Sequence, residues 1–354
     1  MVEKEWSLIV NKTILLKMLP QFYQAHLQKY LTSSQLLNLK LLVVVLQLHK
    51  QIRIERLATL LPLPVLYESR RRHIQRFLKL PCLSVSLIWF PIIKNLIEAK
   101  IKPGSRLYVS WDRTQWKQNN LFMAAVIWQK RAWPIYWQFL SKQGNTNLVQ
   151  QQALLRPVLK LFSSYEIVVI RDRGFRSVRL AQWLDERGVY FALRQKHNTY
   201  IQIETQQYNS LNTLGLAPGV KRDIKSVKVT KNCGFERGAI AAYWKRKYRG
   251  KVEKEAWYIL TNLESLEAAI KAYQKRSGIE AMLKDCKSGG YNLENSQASA
   301  LRLTRLVLLI AIAYTIGGIN GQKLQQQAGQ KYISRVQELQ RYAKHDDGHL
   351  TVAK

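Results

Sequence analysis

Leucine and its aliphatic relatives recur at helix spacing through the first hundred residues. Prolines at Pro20, Pro62, Pro64, Pro81 and Pro91 cut that pattern into short helices. Thr32-Ser33-Ser34 supplies a helix N-cap ahead of residues 35–49, and further helices are expected over 53–61 and 67–78. Pro103-Gly104 punctuates the chain, and from Arg106 the apolar period becomes that of strands. Residues 107–111 read as a strand running into Asp112. Residues 121–129 and 132–139 read as two more, joined as a hairpin through Lys130-Arg131. An amphipathic helix over 147–162 leads to a short apolar strand, 166–170, of the kind buried on both faces, and this ends at Arg171-Asp172-Arg173-Gly174. A helix over 176–186, a break at Gly188 and a strand over 189–193 complete the order βββαβαβ. If the first and fourth strands lie side by side and parallel, Asp112 and Asp172 leave the sheet at one edge, where open α/β sheets place their sites.

Residues 196–262 lose this alternation. They are rich in turn formers, with strand-like pieces at 199–204, 224–229, 239–244 and 255–260, and read as a β-rich insertion. A helix bearing Glu280 follows, then a buried helix from 294 to 316 that Gly317-Gly318 is expected to end, then a polar tail. The longest apolar run, 306–316, is about half a membrane span and follows Arg302 and Arg305, so it reads as a core helix and no membrane partner is expected. The expected units are a helical DNA-binding region at 1–100, a core in two parts at 101–195 and 263–320 around the insertion at 196–262, and a tail at 321–354.

Charge changes the picture. The 354 residues hold 56 Lys and Arg against 23 Asp and Glu, a formal net charge of +33, while 47% of the chain is hydrophobic. General disorder is excluded, and a folded protein this basic usually meets a polyanion, either nucleic acid or an anionic membrane surface, of which nucleic acid is the better fit. The arginine-rich helix carrying Arg70, Arg71, Arg72 and Arg76 fits a helix-turn-helix-like reader of DNA; a helical bundle with a basic surface fits it equally well. Cys82, Cys233 and Cys286 are far apart and form no Cys-x2-Cys pair, which argues against a structural zinc site or a disulfide framework and fits a reducing cytoplasm. The N-terminus carries no signal-peptide pattern.

The chemistry gathers around 271–287. Tyr273, Arg276, Glu280 and Lys287 follow the spacing Tyr-x2-Arg-x3-Glu-x6-Lys, and on one unbroken helix the other three fall within about 60° of Arg276. A solvated Lys/Arg/Glu face explains such a stretch taken alone, and a turn or a local ion pair explains either aspartate taken alone. Their conjunction is harder to reach by accident. Asp112, Asp172 and Glu280 arise from separate elements and offer the hard oxygen ligands that two Mg²⁺ ions, or Mn²⁺ in their place, require for phosphoryl transfer. Asp285, at i+5 from Glu280, points off the shared face and is set aside, and His345-Asp346-Asp347-Gly348-His349 reads as solvated tail.

These motifs carry a resemblance. Asp112 in Trp-Asp-Arg-Thr, Asp172 in Asp-Arg-Gly-Phe and the Tyr273, Arg276, Glu280, Lys287 signature resemble the DDE transposases of the IS4 class, over roughly residues 100–320, with the β-rich insertion in the corresponding place. The resemblance implies a ribonuclease-H-like catalytic core that cuts and pastes an insertion element at its terminal inverted repeats. Asp112, Asp172 and Glu280 would bind the metals, and Arg276, Lys287 and Tyr273 would lie against the phosphates of the cleaved end. It also implies a DNA hairpin intermediate with a flipped base stabilised by an aromatic side chain, for which Trp257 is the candidate and Trp244 the runner-up, although an ordinary core tryptophan explains either. The resemblance implies double-stranded DNA as partner, both the element ends and the target, with two copies pairing two ends as a homodimer in a synaptic complex. The rival readings are a DNA-binding protein without catalysis, such as a repressor or end-binding factor, and a general nuclease on the same fold.

Overall fold

The strands expected after Arg106 all form. β1 (Arg106–Trp116), β2 (Asn119–Trp128) and β3 (Arg131–Phe139) make an antiparallel meander. They belong to a computed structural model that describes residues 19–129, 131–172, 178–204, 206–246, 253–287 and 289–326. β3 is the sheet edge, where Pro134 is tolerated because its missing N–H breaks no ladder bond. Opposite it, Ala124 pairs with Tyr136 and Ala125 with Pro134, which leaves Ile135 as an extra, bulged residue.

α6 (Leu148–Leu161) starts at a capping box, Asn147 accepting from the Gln150 amide while the Gln150 side chain accepts from the Asn147 amide. It leads to β4 (Glu166–Arg171), parallel to β1; α7 (Val178–Asp185) then leads to β5 (Tyr190–Arg194), parallel to β4. The order β3-β2-β1-β4-β5, with helical crossovers, is the ribonuclease-H-like core that the sequence pattern and its resemblance led us to expect.

The segment after β5 carries β6 (Tyr200–Ile203), β7 (Asn209–Ser210), β8 (Lys221–Ile224), β9 (Val227–Val229), β10 (Ala239–Tyr243) and β11 (Trp257–Thr261). β11 pairs antiparallel with β5, and β10 and β8 follow, so the main sheet reaches eight strands; β7, β6 and β9 form a second, small sheet. The expected strand over 224–229 is two strands, split at Ser226, whose φ of 52° turns the chain.

Helices cover both faces. α8 (Leu266–Gln274) closes over Val168, Ile170, Ala192, Ala241 and Ile259 with its own Ala269, Ile270, Ala272 and Tyr273. α9 (Ser277–Cys286) lies against β1, β2 and β3. The last helix, α10 (Ala300–Gln326), starts later than expected, because residues 293–295 form a separate 3₁₀ turn. It also passes through Gly317 and Gly318 without ending. Glycine costs roughly 1 kcal/mol in a helix interior, and the burial of Leu306, Leu308, Leu309, Ile310, Ile312 and Ile316 on all sides outweighs that. By length and composition 300–324 could cross a membrane, yet 72% of its most apolar window is buried inside the protein.

What buries α10 is in large part the N-terminal helices. These are α1 (Gln21–Leu27), α2 (Ser33–His49), α3 (Ile54–Leu60), α4 (Tyr67–Phe77) and α5 (Phe90–Glu98), the last preceded by a π-helical turn, Val85–Trp89. α2 begins at a Thr32–Gln35 capping box and buries Leu39 through Leu46, packing on α10; Gln47 donates to the Ala313 carbonyl. Arg305 of α10 donates to the Leu78 carbonyl just beyond α4, and the fully buried Trp89 donates from Nε1 to the Pro134 carbonyl at 2.9 Å. Trp89→Phe leaves that buried carbonyl without its donor. It should lower the unfolding free energy by about 1–3 kcal/mol, read as a shift in the urea midpoint at unchanged slope.

Candidate active site

The site begins where β1 and β4 part. Their parallel register ends at Ser110 opposite Ile170, while β1 stays paired with β2 as far as Trp116. Asp112 and Asp172 each lie two residues beyond the last pair, so alternation along a strand puts both on the face of Ser110 and Ile170. Asp112 is thus within a strand rather than at its end, as the apolar pattern implied, because β2 continues the ladder past the polar residues. On the opposite face, Trp111 and the fully buried Arg171 stack with the guanidinium carbon 4.9 Å from the ring centroid, and Arg171 donates to Gln151 of α6 at 3.1 Å. Burial pushes the Arg171 guanidinium down, against the upward pull of Asp112 and Asp172.

The third carboxylate comes from the helices. The stretch 271–287 is not one helix but two, α8 and α9, with Lys275 and Arg276 between them. Over the break the amides of Lys275, Arg276, Gly278 and Ile279 reach back three residues to their acceptors, a tighter turn than the α-helix. Across this turn Tyr273 and Arg276 reach Asp172, and Arg276 joins Glu280 to it. The Tyr273 hydroxyl donates to Asp172 Oδ1 at 3.0 Å, and Arg276 Nη1 lies 3.5 Å from Asp172 Oδ2 and donates to Glu280 Oε1 at 2.7 Å. Lys287 does not follow: it ends α9, and its Nζ pairs with Glu294 at 2.6 Å. The single-face geometry fails for it because α9 stops at Cys286 and Lys287 takes a non-helical backbone, φ −85° and ψ −131°, which turns it toward Glu294.

Electrostatics ties the group together. Burial raises the Asp112 carboxyl, and the Glu280 and Asp172 charges raise it further. The Arg113 amide, donating to Oδ1 at 2.7 Å, and the Arg276 cation oppose them. Burial and the neighbouring Asp172 charge push the Tyr273 phenol up to about 12, so it stays a donor at neutral pH. Burial opposes the Arg276 charge, yet Tyr273, Asp172 and Glu280 hold its guanidinium above its ordinary value.

The donor set fits hard divalent cations: three carboxylates from two strands and a helix, with a cation already drawn between two of them. In this arrangement, among the described residues, no three His, Cys, Asp or Glu side chains are gathered as a ready metal cage. Arg276 stands between Asp172 and Glu280 instead.

Other predicted residues fall elsewhere. Trp257 is 8% exposed, with its ring against Tyr273 at 4.9 Å and Tyr243 at 5.9 Å and Lys245 Nζ 4.3 Å from its centroid, so it packs on Tyr273 beside the cluster. Trp244 is half-buried and donates to the Glu253 carbonyl. On α4, Arg70 donates to the Thr59 and Leu61 carbonyls at the end of α3, and Arg71 pairs with Glu55 and Glu68, whereas Arg72 and Arg76 are exposed one turn apart. Buried Asp285 lies off the cluster, as its spacing implies. Arg173, Gly174 and Phe175 of the second aspartate motif, and the His345–Asp346–Asp347–His349 group, lie outside the described residues. Sequence reasoning passed over Arg194, whose Nη1 is 3.7 Å from Asp172 Oδ1. Its signal was available: like Asp172, it is a charge at the C-terminal end of a buried parallel strand.

A family model described as "Transposase DDE domain" matches residues 134–316, just over half of the chain; Asp172, Tyr273, Arg276, Glu280 and Lys287 fall inside the match and Asp112 upstream of it. Among solved structures, the chain is similar to a piggyBac transposase synaptic complex with hairpin DNA at 13% identity and a TM-score of 0.43, covering 79% of this chain and 65% of that one. It is also similar to Marinitoga piezophila Argonaute in complex with 5′ OH guide RNA and target DNA, at 11% identity and a TM-score of 0.27, covering 62% of this chain and 33% of that one. The chain therefore spans less than two thirds of either structure's chain. No curated protein matches it.

The raised Asp112 carboxyl has a consequence for stability. The folded state binds this proton more tightly than the unfolded state, so the group's contribution is most favourable at low pH and is lost as pH rises through the folded value. Asp112→Asn removes the buried charge. In metal-free buffer at pH 7 it should melt higher than the wild type by a few °C, on the order expected for about 1 kcal/mol. Thermal scans from pH 3 to 8 should show the gap closing as Asp112 becomes protonated.

Proposed function

The chain belongs to the transposase DDE-domain family, and from that premise we propose that it cuts and pastes a DNA element by metal-dependent phosphoryl transfer at the element's terminal inverted repeats. The observation that carries this is that Tyr273 and Arg276 hold Asp172, and Arg276 joins it to Glu280, at the opening where β1, bearing Asp112, parts from β4. Asp112, Asp172 and Glu280 are the residues that would hold divalent cations, Mg²⁺ with Mn²⁺ as a substitute. Two such ions, when bound, activate the attacking oxygen and stabilise the leaving one.

The chain's own groups orient the DNA. Arg276 is a planar fork suited to two phosphate oxygens, and 18% of its side chain is exposed, enough to be reached from solvent. Tyr273, neutral and held on Asp172, keeps the aspartate turned toward the opening. Lys287 serves as a point charge for phosphate only after it leaves Glu294. A hairpin intermediate fits a single site that must act on both strands in turn. Of the two tryptophans considered for a flipped base, Trp244 is the more accessible and Trp257 the more enclosed.

Recognition of the ends is assigned to the N-terminal helices. Arg72 and Arg76 project from α4 and would contact phosphate, while Arg70 and Arg71 are engaged within the protein and hold α3 and α4 together. Pairing of two ends would need two copies of the chain.

Two measurements test the proposal. Purified protein and Mg²⁺ are incubated with a plasmid carrying the gene and its native flanks, and cut ends are mapped. Paired double-strand cuts at inverted ends should appear, and Glu280→Gln, Asp112→Asn or Asp172→Asn should each lower the rate a hundredfold or more, roughly beyond the 10–100-fold typical of outer-shell changes. Normal cutting by all three variants would sink the site assignment, and scattered nicks would indicate a general nuclease. Separately, Arg72→Gln and Arg76→Gln should each reduce the slope of log affinity against log salt by about 1 for a duplex taken from those flanks. Arg70→Gln and Arg71→Gln should lower the melting temperature and leave that slope unchanged.

A further inference from the structure

Asp172 is held from two directions. Tyr273 and Arg276 reach it from the helices, and Arg194 reaches it from the sheet. The register explains the second contact. β4 and β5 pair in parallel up to Arg171 opposite Leu193, so Asp172 and Arg194 are each the next residue along two adjacent strands. Only 12% of the Arg194 side chain is exposed. Its Nη2 donates to Glu255 Oε1 at 3.0 Å, and Glu255 Oε2 lies 3.4 Å from Nδ1 of His197. Glu255 stands two residues ahead of β11, which is laid along β5 with Ile259 opposite Arg194.

A guanidinium is a rigid planar fork, and fixing one arm fixes where the other points. Here one arm lies on Glu255 and the other faces Asp172. Resting on the reading of Asp172 as a metal-holding carboxylate, we propose that Arg194 is a positioning residue for Asp172 and that Glu255, supplied by the β-rich segment, holds Arg194 in place. The segment between β5 and α8 thereby takes part in the chemistry without touching the reacting atoms. Glu255 sets the aim of Arg194, and Arg194 sets the carboxylate. A lysine at 194 would keep the charge and lose the two-armed geometry.

The test compares Arg194→Gln, Arg194→Lys, Glu255→Gln and the double variant Arg194→Gln/Glu255→Gln in the full-length chain, with Asp172→Asn as control. The substrate is the plasmid carrying the gene with its native flanks, and affinity is read with a labelled duplex from those flanks. Arg194→Gln and Glu255→Gln should each slow single-turnover cleavage by about 10–100-fold, with duplex affinity within about twofold of wild type. The double variant should be no slower than Arg194→Gln alone, since both changes remove one path, and Arg194→Lys should recover little. Additive losses, or unchanged rates in both single variants, overturn the proposal. A loss of affinity on Arg194→Gln without any effect of Glu255→Gln overturns it too, by placing Arg194 on the DNA. If Arg194→Gln fails to fold, Glu255→Gln alone decides, with a rate loss supporting and a normal rate overturning. Normal cleavage by Asp172→Asn would instead remove the premise, and is read separately from the other variants.

Discussion

The parting of β1 and β4 after Ser110 and Ile170 is the constraint on which the rest of the structure depends. Two parallel strands that stay paired are held about 4.8 Å apart by their ladder, with side chains standing off the two faces. Two strands that part leave room between them for carboxylates, and the partners must then come from elsewhere. β2 keeps β1 in a ladder beyond that point, so Asp112 rests on a rigid strand instead of a loop. Arg171 and Trp111 fill the opposite face and place a buried cation behind both aspartates. The opening is anionic on one side and closed by a cation on the other, which makes the charge of Asp112 tolerable though still costly.

The helices are shaped by the same opening. The turn at Lys275 and Arg276 lets α8 follow the apolar face of β4, β5 and β11, while α9 swings toward β1, β2 and β3. Arg276 sits at the corner and bridges Asp172 and Glu280, so the residue at the bend is also the one that joins the strand and helix halves of the cluster. Gly278, buried directly after the bend, is a poor helix former that costs little at a helix start.

Much of this was legible in the sequence because period and chemistry agreed. The βββαβαβ order followed from the switch to strand period at Arg106, and Asp112 and Asp172 announced themselves as charges at the ends of apolar runs. The helical break at Lys275 and Arg276 did not, because the spacing of Tyr273, Arg276 and Glu280 suits one helix as well as two, and the departure of Lys287 comes from the end of α9 at Cys286. The end of α10 was misplaced because Gly317 and Gly318 signal a stop by local propensity, and the packing of α2 overrides that signal. Trp257 was read from its position on the last strand of the segment, where periodicity does not say which side a partner covers; Tyr273, Tyr243 and Lys245 cover it. Arg194 was marked by its place at the end of a buried parallel strand, but its link to Glu255 was not, because the two meet only through strand pairing.

The net charge of +33 overstates how many cations face a polyanion. Arginines are engaged throughout the fold: Arg106 forks onto Glu264 at 2.7 and 2.9 Å, Arg70 and Arg305 hold carbonyls at helix ends, and Arg171 is buried on Trp111. Arg194 and Arg276 serve the acidic cluster. Such arginines use the fork geometry that lysine lacks, and the interior positions select them for it. Among the described residues of the N-terminal helices, exposed cations such as Arg56 on α3 and Arg72 and Arg76 on α4 remain for phosphate. A basic composition raises the expectation of a polyanionic partner, and it is the burial and pairing of each cation that decides which of them can meet it.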